Sequence, residues 1–195
     1  MSTDTQTTPD GLLPPTPGQT VGPFFGYALP YDGDGDLIDR AHPGSIRLHG
    51  TVRDGAGTPI PDAIIEIWQA DADGTVPQRP GSLKRDGYTF TGFGREATDD
   101  AGHYTFTTVN PGATEQGKAP FIAVAVFARG LMHKLHTRAY LPEDTGTLAS
   151  DPLLSSLSTD RRRTLMATRE DDGGLLWDIT LQGEDETVFL AFPGS

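Results

Sequence analysis

Apolar and polar residues alternate along residues 45–53 (SIRLHGTVR), where Ile46 and Leu48 interleave with Arg47 and His49. A period of two sends successive side chains to opposite faces, so this segment predicts a strand with one buried face. The turn Asp54-Gly55-Ala56-Gly57 closes it. Residues 63–69 (AIIEIWQ) predict a second strand, followed by the turn Asp71-Ala72-Asp73-Gly74. Residues 103–109 (HYTFTTV) predict a third, preceded by Asp99-Asp100-Ala101-Gly102 and closed by Asn110-Pro111-Gly112. Residues 120–128 (PFIAVAVFA) are an almost unbroken apolar run, which predicts a strand buried on both faces. Residues 131–141, 175–181 and 187–192 complete the strands, and only 158–169, with Leu165 and Met166 among charges, predicts a helix. Short strands separated by turn residues predict an all-β fold, an antiparallel β-sandwich with one short helix. Residues 1–15 read as a flexible tail, and residues 16–195 as one domain that begins with an N-terminal arm.

Composition sharpens this picture. The 195-residue chain is long enough for one substantial core, and its 24 glycines and 16 prolines favour turns over long helices. A net charge of −12 argues against a nucleic-acid surface, which needs a basic stripe. It still permits a small anionic substrate, because one local arginine can outweigh a diffuse field. With no cysteine, the chain has no disulfides, thiolate metal sites or cysteine nucleophile. No basic segment followed by an apolar stretch opens the chain, and nowhere do about 18 apolar residues run together. A cytoplasmic protein with no membrane partner is expected.

Candidate chemistry is sparse. Residues 31–39 (YDGDGDLID) resemble a calcium loop but carry Pro43 at the position, counted from Asp32, where such loops need a glutamate. His133, His136 and Tyr140 would share a face on a helix. The alternation of Leu135, Thr137, Ala139 and Leu141 predicts a strand instead, which sends His133 and His136 to opposite sides. GxSxG, GxxxxGK[ST], GxGxxG and HExxH are all absent.

Seven segments nevertheless follow one another in a telling order. They are Thr16-Pro17-Gly18-Gln19-Thr20-Val21-Gly22-Pro23-Phe24, then Gly50-Thr51-Val52 through Pro61-Asp62-Ala63, then Ile65-Glu66-Ile67-Trp68-Gln69-Ala70-Asp71. Phe93-Gly94-Arg95, Thr98, Asp100-Ala101-Gly102-His103-Tyr104 and Val109-Asn110-Pro111-Gly112 continue the series. This order resembles the intradiol ring-cleaving dioxygenases from about Thr16 to Phe192, which implies their prealbumin-like β-sandwich. Phe127-Ala128-Arg129-Gly130, His136-Thr137-Arg138-Ala139-Tyr140 and Gln182-Gly183-Glu184 with Glu186-Thr187-Val188-Phe189 are most similar to the alpha chains of the family's protocatechuate-cleaving members.

The resemblance implies Fe(III) held by two tyrosinates and two histidines, the histidines two apart on one strand. At the matching positions this chain carries Val76, Thr114, Phe121 and Ala123, so no metal is expected in it and no catalytic residue. The iron would belong to a beta-type partner chain of the same fold, with protocatechuate and O2 as substrates. Thr20, Gly22, Pro23 and Phe24 match the alpha segment that lines the substrate pocket, a reading preferred to that of a rigid arm packed on the partner. Arg129 matches an arginine at the pocket mouth, suited to a substrate carboxylate, or to an ordinary salt bridge. A stand-alone dioxygenase with atypical ligands and a non-enzymatic binding module remain as alternatives.

Overall fold

In Ser45–Arg53 (β1), Leu48, Gly50 and Val52 are buried while Arg47 is exposed, so the alternation in the sequence does set the inner face. The computed structural model describes residues 22, 25–78, 85–86, 88–143 and 145–192. The strand β1 pairs antiparallel with β4 (His103–Val109) over seven positions, from Ser45 opposite Val109 to Thr51 opposite His103. Two-residue strands β8 (Leu175–Leu176) and β9 (Ile179–Thr180) join β1 in parallel, and β7 (Thr168–Arg169) extends the sheet beyond β8. The second sheet is antiparallel throughout, in the order β3 (Phe93–Ala97), β2 (Ile64–Trp68), β5 (Phe121–Phe127), β6 (Leu135–Tyr140). The two sheets face each other across one core. Leu48, Val52, Tyr104 and Phe106 from the first meet Ile65, Ile67, Ile122, Val124 and Val126 from the second. Trp177 and Ile179 close it. This is the β-sandwich that the alternation predicts.

Aspartate turns punctuate the strands as expected. Asp54 accepts from the amides of Ala56 and Thr58, Asp71 from Asp73 and Thr75, and Asp99 from Ala101 and His103. Each carboxylate replaces backbone acceptors that the reversing chain lacks.

Several details differ from the expectations. Instead of one helix, the described residues hold four short ones: α1 (Phe25–Ala28), α2 (Thr145–Ser150), α3 (Pro152–Ser156) and α4 (Thr159–Arg163). The signal for α3 is local: Asp151 caps Leu153 and Leu154 amides, and Pro152 takes the first turn, where its missing N–H costs nothing. The helix expected over 158–169 stops at Arg163 because β6 captures the chain beyond it. Tyr140 N donates to Leu165 O and Ala167 N to Tyr140 O. The segment 187–192 forms no strand. It runs beside β6, held by Thr137 Oγ1 donating to Val188 O and Leu190 N donating to His136 O. The strand β5 is not buried on both faces: Ile122, Val124 and Val126 face the core, but Phe121, Ala123 and Phe127 on the outer face are only half-buried.

The acidic loop 31–39 packs on β3, with Arg95 N donating to Asp34 O. Among the described residues, no group of three or more His, Asp or Glu could hold a metal ion. The crowding has a different consequence. Burial pushes the Glu96 carboxyl up to about 7, helped by Asp34 and Asp36 and opposed by Arg40. The ordinary value is 4.5, so between these limits the folded chain keeps a proton that the unfolded chain releases. Stability should therefore fall as pH rises through that window. Glu96→Gln, a neutral mimic of the protonated acid, is expected to raise the thermal midpoint at pH 8 and leave it nearly unchanged at pH 5. Equal shifts at both pH values, followed by circular dichroism, would show that Glu96 is not the titrating group.

Candidate functional site

The outer face of the second sheet carries two cavities at opposite ends of β2. The first begins where Trp68 pairs with Ala123, Ala123 with Arg138, and Phe121 with Tyr140. Because these positions share one face, Trp68, Phe121, Ala123, His136 and Arg138 all project outward with Phe93 of β3, around a cavity of about 280 Å³. Leu190 and Phe192 form one wall, and Phe192 meets His136 edge-on at 5.4 Å between ring centroids. The Arg138 guanidinium lies 4.1 Å from the Phe121 ring centroid, and its Nη1 donates to Tyr140 Oη at 3.2 Å. Tyr140 Oη in turn donates to the buried Asp151 at 3.2 Å. Burial holds the Tyr140 phenol above its ordinary range, partly opposed by Arg138. Glu66 is paired with Arg95, whose Nε donates to it at 2.9 Å. Burial, reinforced by the Lys134 ammonium, holds His136 below its ordinary value, with Glu66 opposing.

Of the four positions matched to iron ligands, Phe121 and Ala123 lie at this end, two apart on β5 and projecting to the same outer face. The loops that lead to Val76 and to Thr114 touch each other. Gly112 N donates to Asp71 O at 2.7 Å. The buried Gln69 amide ties the end of β2 to β4 by donating to Val109 O at 2.8 Å and accepting from Thr108 Oγ1. A valine, a phenylalanine and an alanine have no donor atom, and the threonine has only a neutral hydroxyl, so this set does not fit ferric iron.

His133, His136 and Tyr140 do not form a substitute. His133 lies before β6, while His136 and Tyr140 are four residues apart on it, roughly 13 Å along a strand. The Tyr140 oxygen is already engaged by Arg138 and Asp151.

The second cavity, about 220 Å³, holds Arg129. Phe25, Gly26 and Tyr27 of α1 form one wall, and Asp62, Ile64, Ala97 and Thr98 lie across from it. Arg129 follows β5 in a turn closed by Leu131 N donating to Ala128 O. Its Nε pairs with Asp62 Oδ2 at 2.8 Å, while its side chain remains 80% exposed. Thr20, Pro23 and Phe24 lie outside the described residues. Gly22 is half-buried with φ of 86°, a left-handed conformation that favours glycine. The helix α1 starts directly after this segment, so the fold brings Arg129 to the chain that continues from it. Sequence reasoning missed Asp62 as the partner of Arg129 and Tyr27, 88% exposed, at the same cavity. Sixty-seven positions separate Asp62 from Arg129, and no local pattern links them.

Ile64 pairs with Phe127 and Trp68 with Ala123, so Arg129 lies beyond one end of β5 and Phe121 and Ala123 lie at the other. Phe121 and Phe127 bound the strand, six residues or roughly 20 Å apart. Arg129 therefore cannot serve the cavity of its own chain.

An intradiol-type sandwich with Phe121 and Ala123 on its outer cavity defines the class. Residues 21–183 match the family described as "Dioxygenase", and the chain belongs to that family. It is 39% identical to the protocatechuate 3,4-dioxygenase alpha chain of Pseudomonas putida, over 94% of this chain and 100% of that one. It is 37% identical to the alpha chain of Burkholderia cepacia, over 91% and 98%. The beta chain from Burkholderia cepacia is 34% identical over 73% of this chain and 66% of its own length. Among solved structures, the dioxygenase domain of a dioxygenase–carbohydrate-binding fusion from Streptomyces sp. SirexAA-E superposes with a TM-score of 0.58 at 25% identity. It covers 87% of this chain and 99% of that one. No helix among the described residues is long and apolar enough to cross a membrane.

Proposed function

We propose that this chain is the alpha-type subunit of a protocatechuate 3,4-dioxygenase and works in the cytoplasm beside a beta-type partner that holds Fe(III). One observation carries the reading: Val76, Thr114, Phe121 and Ala123 occupy the ligand positions of a chain that spans the full length of an alpha-chain relative. The reaction opens the protocatechuate ring between its two hydroxyl-bearing carbons and places both atoms of O2 in 3-carboxy-cis,cis-muconate. Ferric iron in the partner supplies the activation of the bound catecholate toward O2.

This chain contributes a wall and a charge. Thr20, Gly22, Pro23 and Phe24 line the pocket across the subunit boundary, and Arg129 faces the substrate carboxylate. Arg129 suits this role because its side chain stays 80% exposed beside Asp62, so its guanidinium can present a forked contact to two oxygens. The Asp62 pair is exposed, and such pairs contribute about 0–1 kcal/mol, so it orients the arginine without tying it down.

The test is iron and colour. Purified alone and exposed to ferrous salt and air, the chain should show no visible tyrosinate-to-iron absorption. Co-expression with a beta-type chain should yield a coloured, active hetero-oligomer. A stoichiometric coloured centre in the isolated chain would overturn the subunit reading. An active chain that ignores the beta-type partner would do the same.

A further inference from the structure

We propose that the cavity over Phe121 and Ala123 is a ligand site in its own right, for a small planar aromatic carboxylate of the benzoate class. The shape comes first. At about 280 Å³ the cavity lies just below the range of roughly 300–1,000 Å³ typical of small-molecule sites, which suits a single ring. Its walls are aromatic: Trp68 and Phe93 stand 5.7 Å apart between centroids, tilted by 54°, with Phe121 across from them. Trp68 is 44% exposed although β2 is an inner strand of its sheet, so a large flat apolar surface is left uncovered.

Charge then selects the ligand. Lys134 and Arg138 line the cavity, and neither has a carboxylate partner among the described residues. The acid in the lining, Glu66, is already engaged by Arg95. Uncompensated cations are unexpected on a chain of net charge −12. Arg138 is also preorganised. Its guanidinium carbon stands over the Phe121 ring, 4.1 Å from the centroid, and Nη1 is held by Tyr140, which Asp151 anchors from below. Nε and Nη2 remain for an incoming carboxylate, and a fixed guanidinium loses little freedom on binding it. The loss of donor atoms at positions 121 and 123 leaves no chemistry here, so the site binds without reacting.

Isothermal titration of the full chain with benzoate tests this directly. One equivalent should bind, with a change in the emission of Trp68 that is absent in Trp68→Phe; Trp177, 3% exposed, is shielded from the ligand. Benzyl alcohol, which keeps the ring and removes the charge, should bind at least tenfold more weakly. Arg138→Ala should weaken benzoate at least tenfold, and Arg138→Lys less, since it restores charge without the stacked fork. Ala123→Phe fills the cavity, leaves Arg138 in place and should abolish binding. In the co-expressed complex one benzoate per copy of this chain should remain sensitive to Ala123→Phe. No heat at millimolar benzoate, equal affinity for benzyl alcohol, or indifference to both the position-138 and position-123 variants would overturn the proposal. So would loss of the Ala123-dependent site on assembly, because the partner would then be the occupant of this face.

Discussion

Gly50→Ala is expected to destabilise the chain by about 3 kcal/mol or more, beyond the usual cost of an extra methyl group in a core. Gly50 lies in the middle of β1, opposite Tyr104. A Cβ at this position would stand 1.9 Å from Trp177 O and 2.6 Å from Trp177 C, both backbone atoms. Backbone can retreat only by moving the segment that carries it, and that segment is pinned on both sides. Trp177 N donates to His49 O at 2.8 Å, and the buried Tyr104 hydroxyl donates to Trp177 O. Moving Trp177 away would orphan that hydroxyl and open the core between β1, β8 and β9. Domains of this kind are stable by about 5–15 kcal/mol, so the loss is a large share of the total. Urea unfolding should show a much lower midpoint at an unchanged slope. A midpoint within the equivalent of 1 kcal/mol of the parent would mean that β8 and β9 shift without cost and do not lock the sandwich.

The second large effect concerns substrate. With the complex assembled, Arg129→Ala is expected to raise the KM for protocatechuate by roughly fivefold to 150-fold, the loss of about 1–3 kcal/mol from a charged hydrogen-bond partner. kcat should change little if the contact is the same in ground and transition states. Catechol lacks the carboxylate, so its poor turnover should be insensitive to the substitution, and the comparison cancels general damage to assembly. The ion pair with Asp62 adds a sharper control. If Asp62 competes with substrate for the guanidinium, Asp62→Asn should leave the KM for protocatechuate unchanged or lower it. If instead the pair only braces the turn after β5, Arg129→Ala and Asp62→Asn should impair both substrates alike, and the structural role would stand.

The strands with a clean period of two were legible in the chain. In β1 and β4 alternation alone identified the inner faces, because one face of each meets a core and the other does not. The strand β3 was missed: Gly92-Phe93-Gly94 fits a turn equally well, and only pairing with β2 makes it a strand, with Leu37 and Phe106 filling the space where a side chain at Gly94 would stand. Residues 175–181 read as one strand, yet they split into β8 and β9 around Trp177, where the chain follows β1 and turns its indole toward Thr164 O. The apolar run of β5 could not reveal that one of its faces borders a cavity, since composition is the same whether a neighbour covers it or not.

That positions 76, 121 and 123 carry no donor atom could be read from residue identity, because valine, phenylalanine and alanine lack one in any fold. Which functional groups share a cavity could not. Arg129 with Asp62 and α1 at one end of the second sheet, and Arg138 with Trp68 and Phe121 at the other, are contacts between distant stretches of chain. Their grouping follows from strand order and register, which the packing of the two sheets selects as a whole. Local sequence therefore determined the inner faces of β1 and β4 and the donor-free side chains at 76, 121 and 123, while the pairing of β2 with β5 decided that the two cavities lie a strand's length apart.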